Sequence, residues 1–146
     1  MTTLFAFVGA LVLLVMFHEY GHYWVARRCG VKVLVFSLGF GKVIYRKRGA
    51  RSGTEWVISA IPLGGYVKML DEREGEVLPE ELDMAFNRKP VLQRMAIVVA
   101  GPLANFMLAI LLYWVLFMHG VPGLKPVLGE VPAHTPAAMA QMHKGE

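Results

Sequence analysis

The chain has 146 residues, 55% of them hydrophobic, with a formal charge of +4 and a positive mean hydropathy. An apolar share this high argues for a membrane protein over an ordinary soluble domain. The single cysteine, Cys29, excludes an internal disulfide framework. The positive charge does not indicate a nucleic-acid partner, because thirteen of the fifteen Lys and Arg residues lie between Arg27 and Arg94. They form a basic connection between two apolar segments, and no nucleic-acid motif accompanies them.

Leu4 to Ala26 is the first apolar segment. At roughly 1.5 Å per residue it spans about 34 Å, enough for a hydrocarbon core of about 30 Å. It lacks the positive n-region of a signal peptide. The basic connection stays in the cytoplasm, so this helix runs from outside to inside and ends at Arg27-Arg28. Anionic lipid headgroups are a secondary partner for those charges. Gly30 is the expected helix stop.

Inside that segment stands His18-Glu19-Tyr20-Gly21-His22. Four residues apart on a helix, His18 and His22 share one face and can hold one zinc ion. Glu19 follows the first ligand and can take a proton from the attacking water. A buried Glu–His pair between helices, or a proton pathway, would also place polar groups in a membrane. Neither requires this i, i+1, i+4 spacing. No third ligand is well placed, since His119 sits at the far end of its segment and Asp71 to Asp83 is a polar loop.

Val31 to Tyr45 and Glu55 to Met69 are strand-like. Gly39-Phe40-Gly41 reads as a tight turn between two strands, and Pro62 with Gly64-Gly65 breaks the second stretch. The expectation is a small set of hairpins, either dipping into the membrane or lying beside it as a cytoplasmic sheet. Asp71 to Asp83 reads as a surface loop, and Asn87-Arg88-Lys89-Pro90 as a helix start with Pro90 in the first turn. Met95 to Val121 is the second membrane segment, running from inside to outside, with Pro102 able to kink it. Ala96, Ala100 and Ala104, beside Gly101 and Asn105, make a small-residue stripe for packing on the first helix. Asn105 serves either as glue between helices or as a contact to substrate.

The fold class is therefore an α-helical membrane protein with added β-hairpins: two transmembrane helices joined by a cytoplasmic or membrane-reentrant β-rich connection. The boundaries are 1–27 for the first helix with the zinc motif, 28–94 for the connection and 95–121 for the second helix. Residues 122–146 follow on the outer side. Both termini are then external and the loop internal. A non-catalytic scaffold, or a proton or metal conduit, is the rival to an enzyme.

Four stretches together carry a resemblance. They are His18 to His22, Phe36-Ser37-Leu38-Gly39-Phe40-Gly41-Lys42, Ile61 to Met69, and Ala100-Gly101-Pro102-Leu103-Ala104-Asn105-Phe106. The chain resembles the amino-terminal part of the bacterial site-2 proteases, intramembrane zinc metalloproteases of the inner membrane. The resemblance implies Zn2+ on His18 and His22, with Glu19 activating water. It implies that Gly39, Phe40 and Gly41 lie in a membrane-reentrant β-loop that pairs with an unwound substrate, and that Asn105 holds a substrate carbonyl. It also implies a periplasmic PDZ domain opening at residues 122–146. The implied substrates are transmembrane segments of anti-sigma factors, in envelope-stress signalling, and remnant signal peptides. The family's third ligand, an aspartate in a later membrane helix, is expected beyond Glu146.

Overall fold

The computed structural model describes residues 1–50 and 52–120. Two helices dominate it, α1 (Thr2–Arg28) and α2 (Val91–His119), joined through two long strands, β1 (Val33–Arg48) and β2 (Glu55–Met69). Both helices are long and apolar enough to cross a membrane. Their apolar side chains stay largely uncovered: Phe5 and Phe7 on α1, and Leu103, Phe106 and Met107 on α2, are each more than half exposed. Contiguous apolar surface on this scale is a lipid-facing or partner-facing surface. The expected outer-domain opening at residues 122–146, and the reach of the second segment to Val121, lie outside the described residues.

α1 ends where the sequence says it should. Cys29 caps it, and Gly30 takes φ +69°, a left-handed conformation suited to glycine. α2 begins four residues before Met95, the expected start of the membrane segment. The carbonyl of Pro90 accepts from Arg94 N at 3.1 Å, so Pro90 stands just outside the helix and not in its first turn. Pro102 lies inside α2, which continues through it to His119.

An antiparallel hairpin is present, β1 against β2, but the expected turns within each strand are not. β1 runs through Gly39-Phe40-Gly41 without a tight turn, and β2 runs through Pro62 and Gly64-Gly65 without a break. Gly39 and Gly41 have φ of +89° and +83°, so the positive-φ glycines bend one strand and do not separate two. β1 and β2 pair antiparallel overall, with Phe36 opposite Val67 and Arg46 opposite Val57. The bends let residues 35–38 also face residues 55–58, and those pairings advance in the same direction. Four half-strands therefore lie side by side in the order 43–48, 55–59, 33–38, 65–69. Residues 65–69 form one free edge.

The core lies where α1 ends, β1 starts and α2 starts. Ala26, Val31, Val33 and Ile97 are buried together, with Tyr23 and Phe86 against them. Tyr23, Phe36 and Trp56 stack beside this cluster, their ring centroids 4.6–5.7 Å apart. From this base the sheet climbs along α1, and Gly39 and Pro62 share a small apolar cavity with Val12 and Val15.

The segment from Asp71 to Lys89 is not a plain surface loop. Pro79–Met84 and Phe86–Arg88 are 3-10 helices, and Asp71 is nearly buried. The Arg73 guanidinium holds the Asp71 carboxylate through two bonds of 2.9 and 2.6 Å. Arg88 does the same for Glu72 at 2.8 and 2.9 Å, and Asn87 Nδ2 adds a third bond at 2.7 Å. Lys32 pairs with Glu81. Paired forks of this kind fix geometry as well as charge. They pin the chain between β2 and α2, and so fix where α2 starts relative to the sheet.

Candidate metal centre

α1 turns His18, Glu19 and His22 inward, all three half-buried. The two imidazoles meet edge to face, with His18 Nε2 and His22 Nε2 3.2 Å apart. Zinc takes imidazole nitrogens at about 2.0–2.1 Å in tetrahedral order, which sets two ligand nitrogens roughly 3.3 Å apart. The observed spacing fits that requirement.

α2 supplies the other wall. His22 Nδ1 donates to the carbonyl oxygen of Ile97 at 2.7 Å, which leaves Nε2 with a free lone pair. One turn along α2, Gly101 is buried against both rings. A Cβ there would collide with His22 Nε2 and stand 2.8 Å from His18 Nε2. A further turn along, Asn105 Nδ2 lies 3.4 Å from His18 Nδ1. Ile97, Gly101 and Asn105 are spaced by four, so they share one face of α2 and run beside both histidines.

The helices can come this close because of glycine on the other side too. A Cβ at Gly21 would run into the Ala100 carbonyl oxygen and stand 2.9 Å from Ala104 Cβ. The expected small-residue stripe is thus in use, with Gly21 as its counterpart on α1.

Glu19 and His22 line a cavity of about 460 Å³, together with Lys68, Asp71 and Arg73. The free edge at residues 65–69 contributes Gly65 to Met69 to the same cavity. A Cβ at Gly65 would stand 2.9 Å from Glu19 Cγ, so the strand passes directly over the glutamate. A carboxylate beside two imidazole nitrogens, open to a cavity with polar walls, is equipped to move protons between water and a bound group.

The structure therefore joins His18, Glu19, His22 and Asn105. Gly39, Phe40 and Gly41 lie elsewhere, at the strand bend, where Phe40 stacks on Tyr66 with ring centroids 6.4 Å apart. Among the described residues no third His, Cys, Asp or Glu joins the two histidines. Sequence reasoning missed Gly65, Gly101 and the Ile97 carbonyl as parts of the site. Gly101 carried a signal, one turn before Asn105 in a stretch already noted; a backbone carbonyl carries none.

Comparison with known proteins fits this geometry. The sequence profile of peptidase family M50 matches residues 6–144. The chain is 56% identical over 143 residues to Protease RseP of Yersinia pestis, covering 98% of this chain and 32% of that protein. It is 57% identical over 140 residues to Regulator of sigma-E protease RseP of Escherichia coli K12, covering 96% of this chain and 31% of the relative. A Vibrio cholerae relative bearing a zinc metalloprotease name is 56% identical, again over 96% of this chain and 31% of its own length. The chain thus spans about a third of the length of the curated relatives it matches. With its two apolar helices, its paired histidines and a family profile matching nearly end to end, the chain belongs to peptidase family M50, the site-2 proteases.

Proposed function

We propose that the chain supplies the zinc-binding and proton-transfer part of an intramembrane metalloendopeptidase. One observation carries this reading: two imidazole nitrogens 3.2 Å apart beside a glutamate that lines a cavity. His18 and His22 would hold the zinc. When bound, the metal polarises a carbonyl and lowers the pKa of water to about 7. Glu19 accepts the proton of the attacking water and returns it to the leaving amine. The free strand edge at residues 65–69 takes the substrate. A transmembrane helix shields its own carbonyls, so it must unwind, and adding it as a strand satisfies the amides and carbonyls this exposes. Gly39, Phe40 and Gly41 shape the bend that brings this edge over Glu19.

The substrates on this reading are transmembrane segments of single-pass proteins, anti-sigma factors and remnant signal peptides among them. Relatives named for regulation of sigma-E support the first class. The basic connection at 28–94 faces the cytoplasm, its sheet tips enter the inner membrane beside Val12 and Val15, and both termini face the periplasm. A PDZ domain opening at 122–146 screens substrates there.

The test is Glu19→Gln in the full chain encoded by the gene, purified in detergent. Cleavage of a transmembrane model substrate falls by about 100- to 10,000-fold, while zinc content stays at the wild-type level. Cleavage at the wild-type rate would remove Glu19 from the reaction.

A further inference from the structure

We infer that Asn105 positions a metal ligand: its amide selects the tautomer of His18. The inference rests on the zinc reading above and adds a role for a residue that the sequence suggested for substrate.

The two histidines are held from behind in different ways. His22 Nδ1 donates to the Ile97 carbonyl, a fixed acceptor, so the proton stays on Nδ1 and Nε2 is free to bind metal. His18 faces a side-chain amide, which offers a donor on one side and an acceptor on the other. As oriented, Asn105 Nδ2 donates towards His18 Nδ1. That leaves the proton of His18 on Nε2, pointing at His22 Nε2. Coordination through Nε2 requires the opposite tautomer, with the proton on Nδ1.

Turning the amide by 180° delivers that tautomer. It places Asn105 Oδ1 where Nδ2 stood, ready to accept from Nδ1–H. That same oxygen is buried and has no hydrogen-bond partner among the described residues. The turned amide gives that oxygen a partner and the ring its acceptor, and carries the Nδ2 hydrogens into the space the oxygen held. Amide and tautomer assignments follow from the network, and only the turned arrangement gives His18 Nδ1–H an acceptor when Nε2 is left free for a metal. Asn105 meets His18 at Nδ1, while the other ring nitrogen, Nε2, faces His22, so the amide stands behind the metal-binding nitrogen.

The experiment is a zinc affinity measurement by chelator competition on the full chain, with kcat and KM taken in parallel. Asn105→Leu removes the acceptor and lowers zinc affinity by about 10- to 100-fold. Asn105→Asp can only accept, holds the proton on Nδ1, and binds zinc at least as tightly as the wild type. Asn105→Leu with wild-type zinc affinity and a raised KM overturns the inference and makes Asn105 a substrate contact. If Asn105→Leu does not fold, the aspartate variant decides alone, and affinity below the wild type overturns the inference. A wild-type chain that binds no zinc, with His18→Ala indistinguishable from it, overturns the zinc reading as well.

Discussion

Two regions of the molecule bring polar side chains into close contact. Around Asp71 and Glu72 each charge meets an opposite one: Arg73 forks onto Asp71, and Arg88 with Asn87 closes on Glu72. Between α1 and α2 the polar atoms face one another without cancelling. Two Nε2 atoms converge, and an amide oxygen is left with no partner among the described residues. A satisfied network sets a position, whereas two convergent ring nitrogens with an unpaired acceptor behind them are suited to receiving something else. The first region fixes where α2 begins, and the second uses that position.

The contrast can be broken first at Gly101. Gly101→Ala puts a methyl into the space between the imidazoles, where the Ile97 bond prevents the His22 ring from yielding. Overpacking costs about 1–3 kcal/mol, or roughly 5- to 150-fold in zinc affinity, read by chelator competition. The same variant leaves the clasp at 70–89 intact, so limited proteolysis of that segment stays as in the wild type.

A smaller effect is expected at Gly21. Gly21→Ala drives a methyl against the Ala100 carbonyl and Ala104, and since main chain cannot turn aside the helices must shift apart. The alanine also recovers about 1 kcal/mol of helix propensity. The net loss falls in the lower half of the overpacking range, about 1 kcal/mol, and appears as a lower Tm in detergent. Zinc affinity moves less than for Gly101→Ala.

The smallest effect belongs to the clasp, and pH sharpens it. Arg88 first, then Asn87, hold the Glu72 carboxyl down to about 2 from its ordinary 4.5. A carboxylate lowered on folding stabilises above its unfolded value and loses that contribution as pH falls through its folded value. Glu72→Gln should therefore be less stable than the wild type near neutrality. The gap narrows between pH 4.5 and about 2. The pair is partly exposed, so the gap stays small and shrinks in high salt. A gap that persists unchanged at pH 2 would show that hydrogen bonding without charge holds the clasp. Thermal unfolding of both proteins across that pH range measures it.

The sequence showed the helices to within about four residues at the described ends, because twenty or more predominantly apolar residues admit few other structures. It also showed the histidine pair and the small-residue stripe, since both depend on spacing along a single helix. The sheet was less legible. Glycine at positive φ serves equally in a tight turn and in a bent strand, so Gly39 and Gly41 could not say which. That residues 33–38 lie between 55–59 and 65–69 depends on contacts far apart in the chain. The strand edge over Glu19 is therefore at Gly65 to Met69 and not at Gly39 to Gly41. The acidic composition of 71–83 likewise suggested a solvated loop, because Arg88 and Asn87 reach Glu72 only once the segment folds back.

The bond from His22 to the Ile97 carbonyl has a consequence for reading mutational scans of this protein. A main-chain oxygen is present whatever side chain is installed. Valine, leucine or methionine at 97 would preserve the support, and the position would score as an ordinary buried apolar site. Asn105 would score as a functional polar site. The two histidines rest on props about two turns apart on the same face of α2, yet a library of side chains would reveal only one of them.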